Sequence, residues 1–178
     1  MKKYKRSIIF LLKFFLSYFL LFTVYSYYLN GSQQKQGQFV CAPLTTGVAN
    51  QTVNVLKFFG YKAEAIQHAE EMSVKILIDE VYLARVIEGC NSISIIILFV
   101  SFIIAFPGPK KTAMLYALFG SLVLYGINIL RIAVLTVLLY KYPDQQSFLH
   151  NLLFPAIIYG TTFLLWVVWV RRFSNYNR

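Results

Sequence analysis

The chain has 178 residues, 58% of them apolar and 13% charged, with a mean hydropathy of +0.59. Soluble domains carry about 45–50% apolar and about 25% charged residues, so a soluble, disordered or fibrous protein is excluded and an integral membrane protein is indicated. The 17 Lys and Arg outnumber the 7 Asp and Glu; in a soluble chain that surplus suggests nucleic acid, but in a membrane protein it reports orientation.

Ser7–Leu29 is the first apolar stretch, and a membrane-crossing helix needs roughly 20 such residues. Lys2, Lys3, Lys5 and Arg6 precede it and no small-x-small cleavage site follows. It reads as an uncleaved signal anchor, with Lys13 snorkelling to its basic end. Residues 31–38 form a polar linker rich in Gly, Ser and Gln. Pro43 then opens an expected helix, Leu44–Phe59, closed by Gly60. Either a membrane-surface helix or a lid on the bundle fits its mixed faces. Val74–Ile78 and Val81–Ile87 are β-branched runs flanking Asp79-Glu80 and predict a small hairpin. A lone hairpin is marginal in water, so it must pack on another element.

The second run leads straight into Glu88-Gly89-Cys90 and the second apolar stretch, Cys90–Phe106. The third stretch, Thr112–Tyr140, is long enough to tilt, protrude or break. The fourth is Asn151–Val170, where Trp166 and Trp169 read as interface anchors.

With four spans, the basic flanks Lys2–Arg6, Lys110-Lys111 and Arg171-Arg172 fall on one side, which the positive-inside rule makes cytoplasmic. Residues 30–89 and Lys141–His150 then lie outside and hold all seven acids. The expected fold is an all-α polytopic membrane protein with about four transmembrane helices and both termini cytoplasmic. An outer helix and a small β-hairpin lie between the first and second spans. Residues 1–29 form the signal-anchor helix, 30–89 an extracytoplasmic segment and 90–178 a three-span bundle. The basic surplus is thereby a topology signal, and no nucleic-acid partner is needed.

Three reactive residues fall at one depth. Cys90 is 17 residues from Pro107, Arg131 is 20 from Lys111, and His150 is 21 from Arg171. At about 1.5 Å per residue, each lies roughly 25–32 Å from the cytoplasmic boundary. Each also has a plain structural explanation. Cys90 fits a small buried hydrophobe, or a disulfide with Cys41 in an oxidising compartment. His150 fits an interfacial histidine, and Arg131 a lipid headgroup contact. Arg131 is the hardest to dismiss, because an arginine within an apolar run costs a few kcal/mol, about 2.5–3.5 on insertion scales. Together the three suffice for acyl transfer. A cation favours a thiolate, a histidine moves the thiol proton to a leaving amine, and an arginine holds an oxyanion. There is no metal-ligand pattern and no Gly-rich phosphate loop, and no cofactor is implied.

Glu88-Gly89-Cys90-Asn91-Ser92-Ile93, then Asn128-Ile129-Leu130-Arg131-Ile132, then His150 before a last span, resemble the exosortase/archaeosortase family. The short length is similar to the compact exosortase F type. The resemblance runs from about residue 43 to the end. It implies a membrane-embedded cysteine transpeptidase or protease of the bacterial inner membrane, with its active site facing the periplasm. Its substrates would be membrane proteins ending in a short motif, a transmembrane helix and a basic cluster. By the same resemblance Cys90 is the nucleophile, His150 the general acid/base and Arg131 the oxyanion or substrate stabiliser. Most members read Cys-Ser-Gly where this chain has Cys90-Asn91-Ser92, and full-length members have about twice as many spans. That leaves room for a small membrane accessory protein to complete the bundle.

Glu88 is expected either to orient His150 or Arg131 or to be a solvated strand-end charge. Asn128, one turn before Arg131, is expected either to support the site or to make an interhelical polar contact. His68 is expected at the surface. Two competing functions stay open: a non-catalytic scaffold or assembly factor, and a lipid-headgroup-binding or transport module.

Overall fold

The structure is a computed structural model that describes residues 2–33, 39–145 and 154–174. Its elements in chain order are α1 (Lys2–Ser32), α2 (Pro43–Phe58), β1 (Ala63–Gln67), β2 (Ser73–Ile78), β3 (Val81–Ile87), α3 (Ile93–Ala105), α4 (Lys110–Lys141) and α5 (Phe154–Val168). A 3₁₀ turn, Glu88–Cys90, joins β3 to α3, and a π-helical turn, Trp169–Phe173, follows α5. The chain is therefore mostly helical.

Among the described residues, three helical stretches are long and apolar enough to cross a membrane: Tyr4–Ser32, Lys110–Lys141 and Pro155–Phe173. Helix α3 is apolar but has only 13 residues, about 20 Å, against a hydrocarbon core of about 30 Å. Helix α4 shows the opposite mismatch. Its 32 residues are continuous over about 48 Å, so the helix does not break.

Helices α1 and α3 run antiparallel in contact. Phe10 meets Phe102 and Phe106 edge-on, with ring centroids 5.7 and 5.0 Å apart, while Tyr25 reaches Asn91 at the other end of α3. At the Phe106 end, Trp169 lies against Gly108, and Tyr116 packs on Trp169 and Phe173. The helix ends bearing Arg6, Lys110, Lys111, Arg171 and Arg172 are thus gathered at one end of the bundle. Phe99, Ile103, Leu124, Ile158 and Trp169 form the core there. Gly120 lets Phe99 approach so closely that no Cβ would fit. Trp169 is not an interface anchor, being fully buried, whereas Trp166 is half-buried and stacks on Phe102 at 4.4 Å. The large ring of Trp169 does more by filling a bundle of few helices than by sitting at its rim.

A second core joins α2 and the strands to α4. Val48, Val53 and Leu56 of α2, Val74, Ile76 and Ile78 of β2, and Val86 of β3 pack on Ile129, Ile132 and Ala133 of α4. The length of α4 is thereby explained. One stretch belongs to the bundle, and its far end is a strut for the sheet, where Tyr140 Oη donates to Asp79 Oδ2 at 2.9 Å.

The expected hairpin is present as β2–β3, with Asp79 and Glu80 both at positive φ, as a two-residue turn of this kind requires. It is part of a three-stranded antiparallel sheet, because β1 pairs along β2 from Ala63↔Ile78 to Gln67↔Val74. The third strand answers the instability of a lone hairpin. Helix α2 is packed on the sheet and α4, the lid rather than the surface helix. Pro43 sits in its first turn and Gly60, at φ +87°, follows its end.

Candidate active site

Cys90 is half-buried at the end of the 3₁₀ turn, on the seam between the two cores. The chain reverses there by specific polar contacts. Asn91 Oδ1 accepts the Ile93 N–H at 3.1 Å, and Ser92 adopts φ +65°. That left-handed conformation favours glycine, which explains why a Cys-Ser-Gly pattern suits this turn and why Ser92 is strained in it.

Asn128 of α4, 2% exposed, donates from Nδ2 to the Cys90 carbonyl at 2.8 Å. That bond ties α4 to the backbone of the cysteine turn. One turn further along, the half-buried Arg131 faces a cavity of about 200 Å³. Gly89 and Ser92 line it on either side of Cys90-Asn91, with Ser94, Asn128, Pro155 and Tyr159 around the remainder. Arg131 Nε is buried and has no hydrogen-bond partner among the described residues. A buried, unpaired guanidinium N–H costs free energy unless something arrives to accept from it, so this cavity suits a carbonyl or an anionic oxygen.

His150 lies outside the described residues. Pro155, five positions later in sequence, lines the cavity beside Arg131.

Glu88 does not meet Arg131, and it is not a solvated charge. Its carboxylate accepts the Ala42 N–H at 2.8 Å and the Thr45 hydroxyl, at the first turn of α2. Helix α2 begins at Ala42-Pro43, which offers no capping side chain of its own. A carboxylate supplied from 46 residues away fills that role and complements the helix dipole.

Both cysteines are free thiols. Cys41 is buried in the core formed by α2, the sheet and α4, its sulfur accepting from Gln67 Nε2 at 3.6 Å, and no disulfide joins it to Cys90. Burial pushes the Cys41 thiol pKa up, with the Gln67 hydrogen bond opposing and Glu88 adding to the rise.

Tyr25, Thr45, Ser94 and Tyr159 escaped sequence reasoning. None stands in a motif, and the chain has 13 tyrosines, so no single one is marked.

The fold and the site together define a multi-helix membrane protein with a cysteine turn and a half-buried arginine on one cavity, between the helix bundle and the unit of α2 and the sheet. Residues 6–172 match the transmembrane exosortase family, and the chain belongs to it. Membership implies a membrane-embedded sorting protease that acts on membrane protein substrates. Comparison with curated proteins and with solved structures gives no match.

Proposed function

We propose that this protein is a cysteine transpeptidase or protease that cleaves membrane proteins near a C-terminal sorting signal. One observation carries the reading. Arg131, whose Nε has no hydrogen-bond partner among the described residues, shares a cavity with the residues on either side of Cys90, and Asn128 holds the Cys90 carbonyl.

The chemistry follows from those groups. The Cys90 thiolate attacks the scissile carbonyl carbon, and the oxygen that gains charge is held by the Arg131 guanidinium. His150 takes the thiol proton and returns it to the leaving amine as the C–N bond breaks. The resulting thioester is then attacked by water, an amine or a lipid nucleophile, which releases the product and restores the thiol. Asn128 keeps the Cys90 backbone in place throughout.

In this reading α3 is a fourth, short span, and the gathered basic ends face the cytoplasm with both termini. Residues 1–29 anchor the chain, 30–89 stand outside, and 90–178 form the catalytic bundle. The site opens on the outer face of the inner membrane. A substrate would present a short motif there, with its own membrane helix and basic tail below.

The test is mass spectrometry of a co-expressed candidate substrate with such a C-terminal signal. Wild type should yield a new C-terminus at the motif, and Cys90→Ala should yield none. Full processing by Cys90→Ala would sink the reading.

A further inference from the structure

Four side chains that the proposed chemistry leaves idle form one connected hydrogen-bond path behind Cys90. Asn91 Nδ2 donates to Tyr25 Oη of α1 at 2.7 Å and to Thr45 Oγ1 of α2 at 3.1 Å. Thr45 Oγ1 donates to Glu88 in the cysteine turn, and Glu88 also accepts the Ala42 N–H. Asn91 Oδ1 holds the first N–H of α3. Four segments of the chain are thereby joined at the residue next to Cys90.

The path is buried. Asn91 is 1% exposed and Thr45 is fully enclosed. Tyr25 is 8% exposed and is the one buried residue among the described side chains of α1. The rest of α1 presents exposed or half-buried residues, as a lipid-facing helix should. An anchor helix needs no buried hydroxyl for that task, since a phenylalanine would pack as well. A buried tyrosine hydroxyl is retained where it has a partner to hold, and here the partner is the side chain that turns the strand into α3.

We propose that Tyr25 is a positioning residue. Through Asn91, its hydroxyl fixes the turn that presents Cys90, so the first membrane helix is a working part of the site and not only an anchor. This inference rests on the reading of Cys90 as the nucleophile. Losing one buried hydrogen bond loosens the turn without emptying any core. Chemistry that depends on placement should then slow, while a small reagent that needs only access should react faster.

The experiment uses the full chain in membranes, in a Cys41→Ala background so that Cys90 is the one thiol. The variants are Tyr25→Phe, Asn91→Ala, both together, and Tyr28→Phe as a control on the same helix. Tyr28 stacks on Tyr25 with centroids 6.4 Å apart but is 36% exposed. Two quantities are measured: the rate of Cys90 alkylation by N-ethylmaleimide, which needs no substrate, and kcat and KM for processing a co-expressed substrate. Tyr25→Phe should lower kcat about three- to tenfold, the range one hydrogen bond supplies, with KM unchanged and alkylation faster. Asn91→Ala should lower kcat at least as far, and adding Tyr25→Phe to it should change nothing more. Tyr28→Phe should match the parent.

The proposal is overturned if Tyr25→Phe equals Tyr28→Phe in both readouts, or if the two substitutions add independently. It is equally overturned if both rates fall only in proportion to the folded fraction, which is what a purely structural bond would give. If Cys90→Ala still processes substrate, the nucleophile reading fails instead, and the alkylation rates alone decide whether Tyr25 sets the turn.

Discussion

Replacing Arg131 by lysine separates two tasks a buried cation can perform. A point charge is enough to grip an anionic headgroup, whereas a fork of N–H donors is needed to hold a developing oxyanion. Arg131→Lys should therefore lower the processing rate by about 10²-fold, the scale of losing an oxyanion donor, while Cys90 alkylation stays near wild type. Retention of most activity would favour the headgroup role. The two thiols supply a second prediction. Burial raises the Cys41 pKa, so the fold favours its protonated form. That contribution to stability is present below the unfolded thiol pKa of about 8.5 and is lost as pH rises through the higher folded value. Maleimide at pH 7.5 should therefore label Cys90 and leave Cys41 unmodified until the medium is well alkaline, and Cys41→Ala should process substrate normally. Equal labelling of both thiols at pH 7.5 would contradict the burial assigned to Cys41. Cys90 and Arg131 were legible in the sequence because each is conspicuous, one as a rare thiol at a strand end, the other as a charge inside an apolar run. Asn91, Thr45 and Tyr25 were not, because a hydrogen-bond path between segments 20 to 66 residues apart leaves no periodic trace.

At the scale of elements, the cysteine turn holds a non-glycine residue in the left-handed region. Ser92 sits at φ +65° with its hydroxyl donating to the Asn91 carbonyl at 2.6 Å. Glycine relieves the strain and forfeits that bond, so thermal unfolding should place Ser92→Gly within about 1 kcal/mol of wild type. Ser92→Val puts a β-branched side chain at positive φ and should cost about 1–3 kcal/mol. Comparable stability of the two variants would show that the turn is not held as described. The β2–β3 hairpin was readable from its β-branched runs. Strand β1 was hidden, since Ala63–Gln67 contains one β-branched residue and owes its conformation to pairing with β2. Trp169 misled for the opposite reason. Its position near a helix end suggests an interface, but tertiary packing on Gly108 and Tyr116 buries it.

At the scale of the whole molecule, a short helix and a long one explain each other. Helix α3 ends below the reach of a full span, and α4 continues past it to carry the sheet and α2, so the seam between the two cores falls beside Cys90 and Arg131. The proposed orientation predicts that, in a cysteine-free chain, Glu80→Cys is labelled by a membrane-impermeant maleimide added to cells with a permeabilised outer membrane. Lys111→Cys should be labelled only after lysis. The reverse pattern would invert the molecule and place the site on the wrong side.

The central claim is that Cys90 forms a covalent thioester with the substrate. Acid quenching during turnover, followed by peptide mass spectrometry, reads this directly. The account predicts a Cys90 peptide carrying the acyl fragment that ends at the cleavage site, removable by hydroxylamine, and no such adduct on Cys41. Processing that proceeds with no acyl adduct on Cys90, or with the adduct on another residue, would contradict it.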